Sequence, residues 1–262
     1  MEILIPILTL GFLGVIFGIG LAIASKKLAV NIDPRLERIH GLLPGSNCGA
    51  CGGAGCFGFA EDLLSGKAKA SACRVSQEEV KERIAGILGQ KLEKTAKLVA
   101  VLHCNGGKKV KNKFVYDGIA DCVAANLVLK GQKECVFGCL GFGTCVSACP
   151  FGAISMENSL PKVDPAKCKA CNKCVQACPK RLFTLIPSEQ SVVVSCRSLN
   201  MGKDVKYVCP VGCIACKICE KTCKFDAIHV LGNLAYIDYK KCTSCGGCVK
   251  VCPSKTINIL AK

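Results

Sequence analysis

Cysteine spacing constrains this chain more than any other feature. Of its 262 residues 24 are cysteine, and they fall in ordered runs. Cys168, Cys171, Cys174 and Cys178 follow C-x2-C-x2-C-x3-C with Pro179 next, and Cys242, Cys245, Cys248 and Cys252 repeat the pattern with Pro253. Cys213, Cys216, Cys219 and Cys223 form a third run lacking only the proline, and an imperfect fourth ends Cys145-x3-Cys149-Pro150. Cysteine this dense means a disulfide-stapled secreted domain or a carrier of metal. The spacing is that of cubane iron-sulfur ligation, in which three cysteines of a run hold one cluster and the fourth crosses to its neighbour. With no Trp and 5% aromatic residues, the chain has little material for a conventional core. Metal-thiolate bonds organise small units of this kind instead.

A shift of 74 residues lays Cys122, Cys135, Cys139, Cys145 and Cys149 on Cys196, Cys209, Cys213, Cys219 and Cys223, and carries the Cys168 run onto the Cys242 run. Gly138, Phe151, Ala153, Ile154 and Asp164 fall on Gly212, Phe225, Ala227, Ile228 and Asp238, so packing positions repeat along with ligands. The second half therefore reads as two tandem bacterial-type two-cluster ferredoxin units of pseudo-twofold βαβ type. Crossed ligation groups Cys168, Cys171 and Cys174 with Cys149; Cys213, Cys216 and Cys219 with Cys252; and Cys242, Cys245 and Cys248 with Cys223. The fourth group has Cys139, Cys145 and Cys178 but needs a substitute, because Phe142 stands where the second unit has Cys216. Cys104, Cys122, Cys135, Cys196 and Cys209 are unassigned by spacing. One must fill the gap, and the four left over suffice for a further cluster or are structural thiols. The count is accordingly five or six [4Fe-4S] clusters.

Nearer the start, Cys48, Cys51, Cys56 and Cys73 supply four thiolates in a glycine-rich setting, Leu43-Pro44-Gly45-Ser46-Asn47-Cys48-Gly49-Ala50-Cys51-Gly52. Glycine lets backbone N–H groups approach cluster sulfurs. Zinc is the competing metal, but its four-cysteine sites usually pair two short knuckles. The literal G-x-G-x-x-G from Gly53 to Gly58 follows no strand and is read as coincidence. Ser76-x-x-Glu79 reads as a capping box opening a helix to about Leu88, and Ala96 to Cys104 as a strand. Lys108 to Lys113 reads as a solvated basic turn or an acidic partner's dock, and His103 as a structural histidine.

From Ile3 to Ala24 no charge occurs over 22 residues, enough helix to cross a hydrocarbon core of about 30 Å. Glu2 before it and Lys26-Lys27 after it suit an uncleaved anchor better than a secretory signal. Lys26, Lys27, Arg35 and Arg38 place the cluster-bearing region in the cytoplasm by the positive-inside rule. Gly11, Gly14 and Gly18 line one face and would allow close approach of another helix. The formal charge of +16 would suggest nucleic acid, but each bound cluster contributes about −2 and removes most of the excess. No nucleic-acid partner is expected. No acid-base dyad, activated nucleophile or phosphate loop is present, so no catalytic residue is assigned.

This order of features, with Cys104-Asn105-Gly106-Gly107 and Gly138-Cys139-Leu140-Gly141, resembles the B subunits of the Rnf complexes, the ion-translocating ferredoxin:NAD oxidoreductases. The resemblance implies an electron-relay component in the inner (plasma) membrane, taking electrons from reduced ferredoxin and passing them to other membrane and peripheral subunits. A membrane-tethered iron-sulfur redox sensor is the alternative, with no output domain to support it. The expected architecture is α+β: a transmembrane anchor (1–25), a linker (26–43), the glycine-rich module (44–90), a connecting segment (91–121) and ferredoxin-like repeats at 122–188 and 189–262. The module reads as the last relay before the membrane, and Lys167, Lys169, Lys173, Lys180 and Arg181 as the donor's docking rim.

Overall fold

The computed structural model describes residues 4–27, 33–92 and 96–260. Helix α1 (Leu4–Lys27) has a mean hydropathy of 2.5 over Ile7–Lys27 and is long and apolar enough to cross a membrane. Its large apolar side chains from Ile5 to Ile23 are 50–75% exposed. Such a surface has a low-energy environment in lipid. Glu2 and Ile3, read as the start of the span, lie outside the described residues. Among the described residues, nothing lies within 4 Å of a Cβ placed on Gly11, Gly14 or Gly18.

Three helices build the glycine-rich module: α2 (Pro34–Leu42), α3 (Gly55–Leu64) and α4 (Glu78–Leu88). They close over Leu36, Ile39, Phe59, Leu63 and Ile84, and Cys56 and Cys73 are part of the same core. Helix α2 falls inside the stretch read as a linker, which corrects that boundary. Its signals are local: Asp33 accepts the Arg35 amide at 2.8 Å, Pro34 occupies the first helical turn, and Leu36, Ile39 and Leu43 recur on one face. Helix α4 ends at Gly89, φ +64°, as its sequence suggests. Its start differs, because Gln77 is the N-cap and makes no side-chain cap bond. The Ser76 hydroxyl instead donates to the Cys73 sulfur at 3.1 Å.

The first repeat runs β1 (Leu98–Leu102), α5 (Cys122–Leu127), α6 (Thr144–Ser147), β2 (Ile154–Glu157), β3 (Leu160–Val163), α7 (Lys173–Ala177) and β4 (Phe183–Pro187). The second runs β5 (Val192–Val194), α8 (Gly202–Val208), α9 (Ile218–Thr222), β6 (Ile228–Leu231), β7 (Leu234–Ile237), α10 (Gly247–Val251) and β8 (Ile257–Ile259). In each, the first strand pairs antiparallel with the last and the two middle strands form a hairpin. The first repeat thus begins at β1, inside the segment read as a connection.

Strand register also corrects the alignment of the repeats. Leu102 lies opposite Phe183 and Val194 opposite Ile257; just beyond, the His103 amide donates to Leu182 O and the Ser195 amide to Thr256 O. The later partners differ by 74 residues and the earlier ones by 92, so Cys104, not Cys122, is the counterpart of Cys196. Cys104 and Cys135 are 31 positions apart, Cys196 and Cys209 only 13. The difference of 18 is an insertion in the first repeat, and Cys122 lies on it.

His103 joins the repeats. Its Nδ1 donates to Val194 O at 2.7 Å while Nε2 lies 2.6 Å from Thr184 Oγ1. Burial lowers its pKa, favouring the neutral ring that this pattern requires. The reading of a structural histidine agrees with this geometry.

Two glycines give a sign test of the module's packing. A Cβ on Gly53 would lie 2.8 Å from the Phe59 amide nitrogen, whereas one on Gly86 meets nothing within 4 Å. Gly53→Ala should destabilise α3 locally by about 1–3 kcal/mol, and Gly86→Ala should stabilise α4 by about 0.5–1 kcal/mol. Native-state hydrogen exchange of the α3 and α4 amides measures both.

Candidate iron-sulfur centres

All 24 cysteines are free thiols, and they converge in six groups of four. Site I is Cys48, Cys51, Cys56 and Cys73, gathered by α3 and its flanking loops. Site II is Cys149, Cys168, Cys171 and Cys174. Site III is Cys122, Cys139, Cys145 and Cys178. Site IV is Cys104, Cys135, Cys196 and Cys209. Site V is Cys213, Cys216, Cys219 and Cys252, and site VI is Cys223, Cys242, Cys245 and Cys248. The crossed groupings expected from the runs are therefore the spatial ones. The five cysteines that spacing left unassigned divide as one in site III and four in site IV.

The donor chemistry fits cubane clusters. Sites II, III and V enclose about 330, 360 and 360 Å³ of atom-free space, nearly the same volume in each. Among the described residues no three metal-binding side chains converge tightly enough for a single ion, which disfavours the zinc alternative. Backbone amides point at the sulfurs in a repeating way: Ala153, Leu182, Ala227 and Thr256 each donate to the cysteine four residues earlier, at 3.3–3.4 Å. Amide N–H groups aimed at thiolate sulfur favour the charged form and tune a cluster's potential.

Local backbone shape explains how the short loops present three thiols. Ala170 and Asn172, Ala215 and Lys217, and Ser244 and Gly246 all take positive φ between the ligands of their runs. In the module Asn47 Oδ1 accepts the Cys56 amide at 2.7 Å. A Cβ on Gly55, φ +84°, would come 2.9 Å from that same oxygen.

Burial drives the thiol pKa values up, to about 11 for Cys135, Cys145 and Cys219 and about 12 for Cys174, with neighbouring cysteines adding to the effect. Four such groups ionise together only against positive charge placed among them, so iron loading releases protons.

The sites lie in single file. Cys48 of site I is within electrostatic reach of Cys171 of site II, and Cys145 of site III acts on Cys174 of site II. The Cys139 amide of site III points at Cys104 Sγ of site IV at 3.5 Å. Cys196 of site IV neighbours Cys213 of site V. Helices α9 and α10 each carry or flank one ligand of site V and one of site VI. Site IV is the joint, since Cys104 and Cys135 come from the first repeat and Cys196 and Cys209 from the second.

The lysines read as a docking rim are placed otherwise. Lys169 borders a cleft of about 1020 Å³ between the module and the first repeat. Lys180 turns inward and donates to Lys130 O and Val136 O at 2.6 and 2.7 Å, and Lys167 lies 3.9 Å from Asp164. Of the 24 thiols, all within the described residues, only Cys216 and Cys245 are exposed. Both are in the second repeat.

Comparison with known proteins agrees with this architecture. Residues 43–75 match the family described as "Putative Fe-S cluster", and residues 134–182 and 212–257 match two families described as 4Fe-4S dicluster domains. Cys104, Cys122, Cys196 and Cys209 lie outside all three stretches. The B subunit of the Na+-translocating ferredoxin:NAD+ oxidoreductase complex of Acetobacterium woodii is 45% identical over 98% of this chain and 78% of its own length. That of the ion-translocating oxidoreductase complex of Methanosarcina acetivorans is 43% identical over 97% of each chain. That of the proton-translocating ferredoxin:NAD+ oxidoreductase complex of Clostridium ljungdahlii is 40% identical over 99% of this chain and 93% of its own. A membrane-length helix, a glycine-rich four-thiol module and two dicluster units, together with identity to those relatives along nearly the whole chain, place this protein in the family of B subunits of ion-translocating oxidoreductase complexes.

Proposed function

We propose that the six sites each hold one [4Fe-4S] cluster and that the chain is a one-electron relay from a soluble donor, reduced ferredoxin, to partner subunits in and on the membrane. Bound clusters of this type carry single electrons at potentials set by their surroundings. The observation that carries the reading is the unbroken file of neighbouring thiols from Cys245 at one end to Cys48 at the other. Site I belongs to the module that follows α1 in the chain, which favours it as the exit toward the membrane. Lys26, Lys27, Arg35 and Arg38 support a cytoplasmic position for the file. An isolated sensor cluster would have no need of five others in a row.

The entrance is at the second repeat. Cys216 and Cys245 are exposed, and exposed Lys217, Lys221, Lys240 and Lys250 lie within five positions of one or the other along the chain. An acidic carrier would be steered there by charge, which raises the encounter rate more than the affinity.

Three measurements test the relay. Anaerobic iron and sulfide quantification of the full chain should give about 24 of each, whereas about 20 would mean that one four-thiol site is not a cluster site. Cys51→Ala in the assembled complex should leave sites V and VI reducible by ferredoxin while abolishing transfer to the membrane subunits; unchanged ferredoxin-to-NAD activity would remove site I from the path. Charge reversal at Lys217 and Lys240 should lower the rate of ferredoxin oxidation at low salt by about tenfold and converge with wild type at high salt. Reversal at Lys169 and Lys173 should have little effect, and the opposite ranking would move the dock to the first repeat.

A further inference from the structure

Site III departs from its counterpart, site V, in the source of one thiol. The second repeat uses Cys216, in the loop between Cys213 and Cys219; at the matching place the first repeat has Phe142. The Phe142 ring packs edge-on against Tyr116, with centroids 5.4 Å apart, and both border the small core formed by Cys122, Ala125 and Leu140. Tyr116 and Cys122 belong to the 18-residue insertion, so one segment both covers the altered position and brings a thiol to the site.

The insertion is tied to the site by a short set of hydrogen bonds. Asp121 Oδ1 accepts the amides of Val123 and Ala124 at 2.7 and 3.0 Å, starting α5. Its Oδ2 accepts the Thr144 hydroxyl at 2.7 Å, and Thr144 Oγ1 accepts the Cys122 amide at 2.8 Å. Thr144 is the first residue of α6, the helix that carries Cys145. The hydroxyl therefore links the backbone of one site III cysteine to the helix of another. At the position of Thr144 the second repeat has Ile218, which has no hydroxyl, and the insertion that supplies Asp121 has no counterpart there. The linkage is found only in the repeat that lacks the loop cysteine.

We infer that Asp121 and Thr144 are positioning residues that hold Cys122 as the fourth thiolate of site III, in place of the ligand missing at Phe142. The inference rests on the cluster reading above and goes beyond it in naming what keeps a ligand from outside the cysteine run in place. A cubane iron whose thiolate is not firmly held is the one lost when the cluster is oxidised: ferricyanide removes one electron, one ferrous ion leaves, and a paramagnetic three-iron cluster remains.

The test uses the full-length, anaerobically loaded protein, with iron content and the EPR signal of the three-iron form after brief ferricyanide treatment as readouts. Thr144→Val should give close to one three-iron spin per chain where wild type and Thr144→Ser give little. Adding Phe142→Cys to Thr144→Val supplies a thiol at the place the second repeat uses, and should return the signal to the wild-type level. A Thr144→Val protein indistinguishable from wild type, or one that Phe142→Cys fails to rescue, overturns the clamp. Cys122→Ala separates the two layers. If it keeps full iron and forms no three-iron signal, the assignment of Cys122 as a ligand fails; if it loses the iron while Thr144→Val does not, only the clamp fails.

Discussion

Every element of this fold answers to one requirement, that four thiols reach a common cavity from pieces of chain that are not contiguous. The apolar clusters of both repeats are built partly from the cysteines themselves, with Cys145, Cys168 and Cys174 in the first and Cys219 in the second. Strands of three to five residues and helices of four to seven bury little area alone, and units of that size rarely stand without a covalent or metal staple. Raised thiol pKa values express the same dependence, because the cavities are too apolar to hold several thiolates without a compensating cation.

Much of this was legible in the sequence, and the reason is locality. Within a run the loop conformation is set by residues a few positions apart, so C-x2-C-x2-C names three ligands of a site and the following C-x3 names a ligand of its neighbour. The module's four thiols and the crossed groupings were readable on that basis. Site IV was not, because its two halves are brought together by strand pairing and by His103, neither of which leaves a spacing signature. The single shift of 74 residues concealed the insertion by matching Cys122 to Cys196. Only the strand register, where the offset becomes 92, separates a ligand with a counterpart from one without. Ser76 failed as a capping residue for a related reason: its hydroxyl has a sulfur to serve, and a buried thiol competes with a free helix end.

Charge follows the same division between ends and middle. The +16 of the polypeptide is largely offset by about −2 for each bound cluster, leaving roughly +4. What matters is then where uncompensated lysine remains. Lys180 is committed to backbone carbonyls near sites III and IV, while those beside Cys216 and Cys245 face solvent.

Site IV also has a consequence for biosynthesis. All thiols of sites I, II and III have been synthesised once Cys178 is in place, but Cys104 and Cys135 must wait for Cys209 and for the pairing of β5 with β8, whose last residue is Ile259. A nascent chain with its first repeat already metallated thus holds two reduced thiols side by side without their partners. A stray bond between them would divide the conductor at its midpoint while leaving both halves folded. Such a lesion would escape any quality control that inspects only folding, so faithful maturation of this chain depends on a reducing environment for longer than its ferredoxin units alone would require.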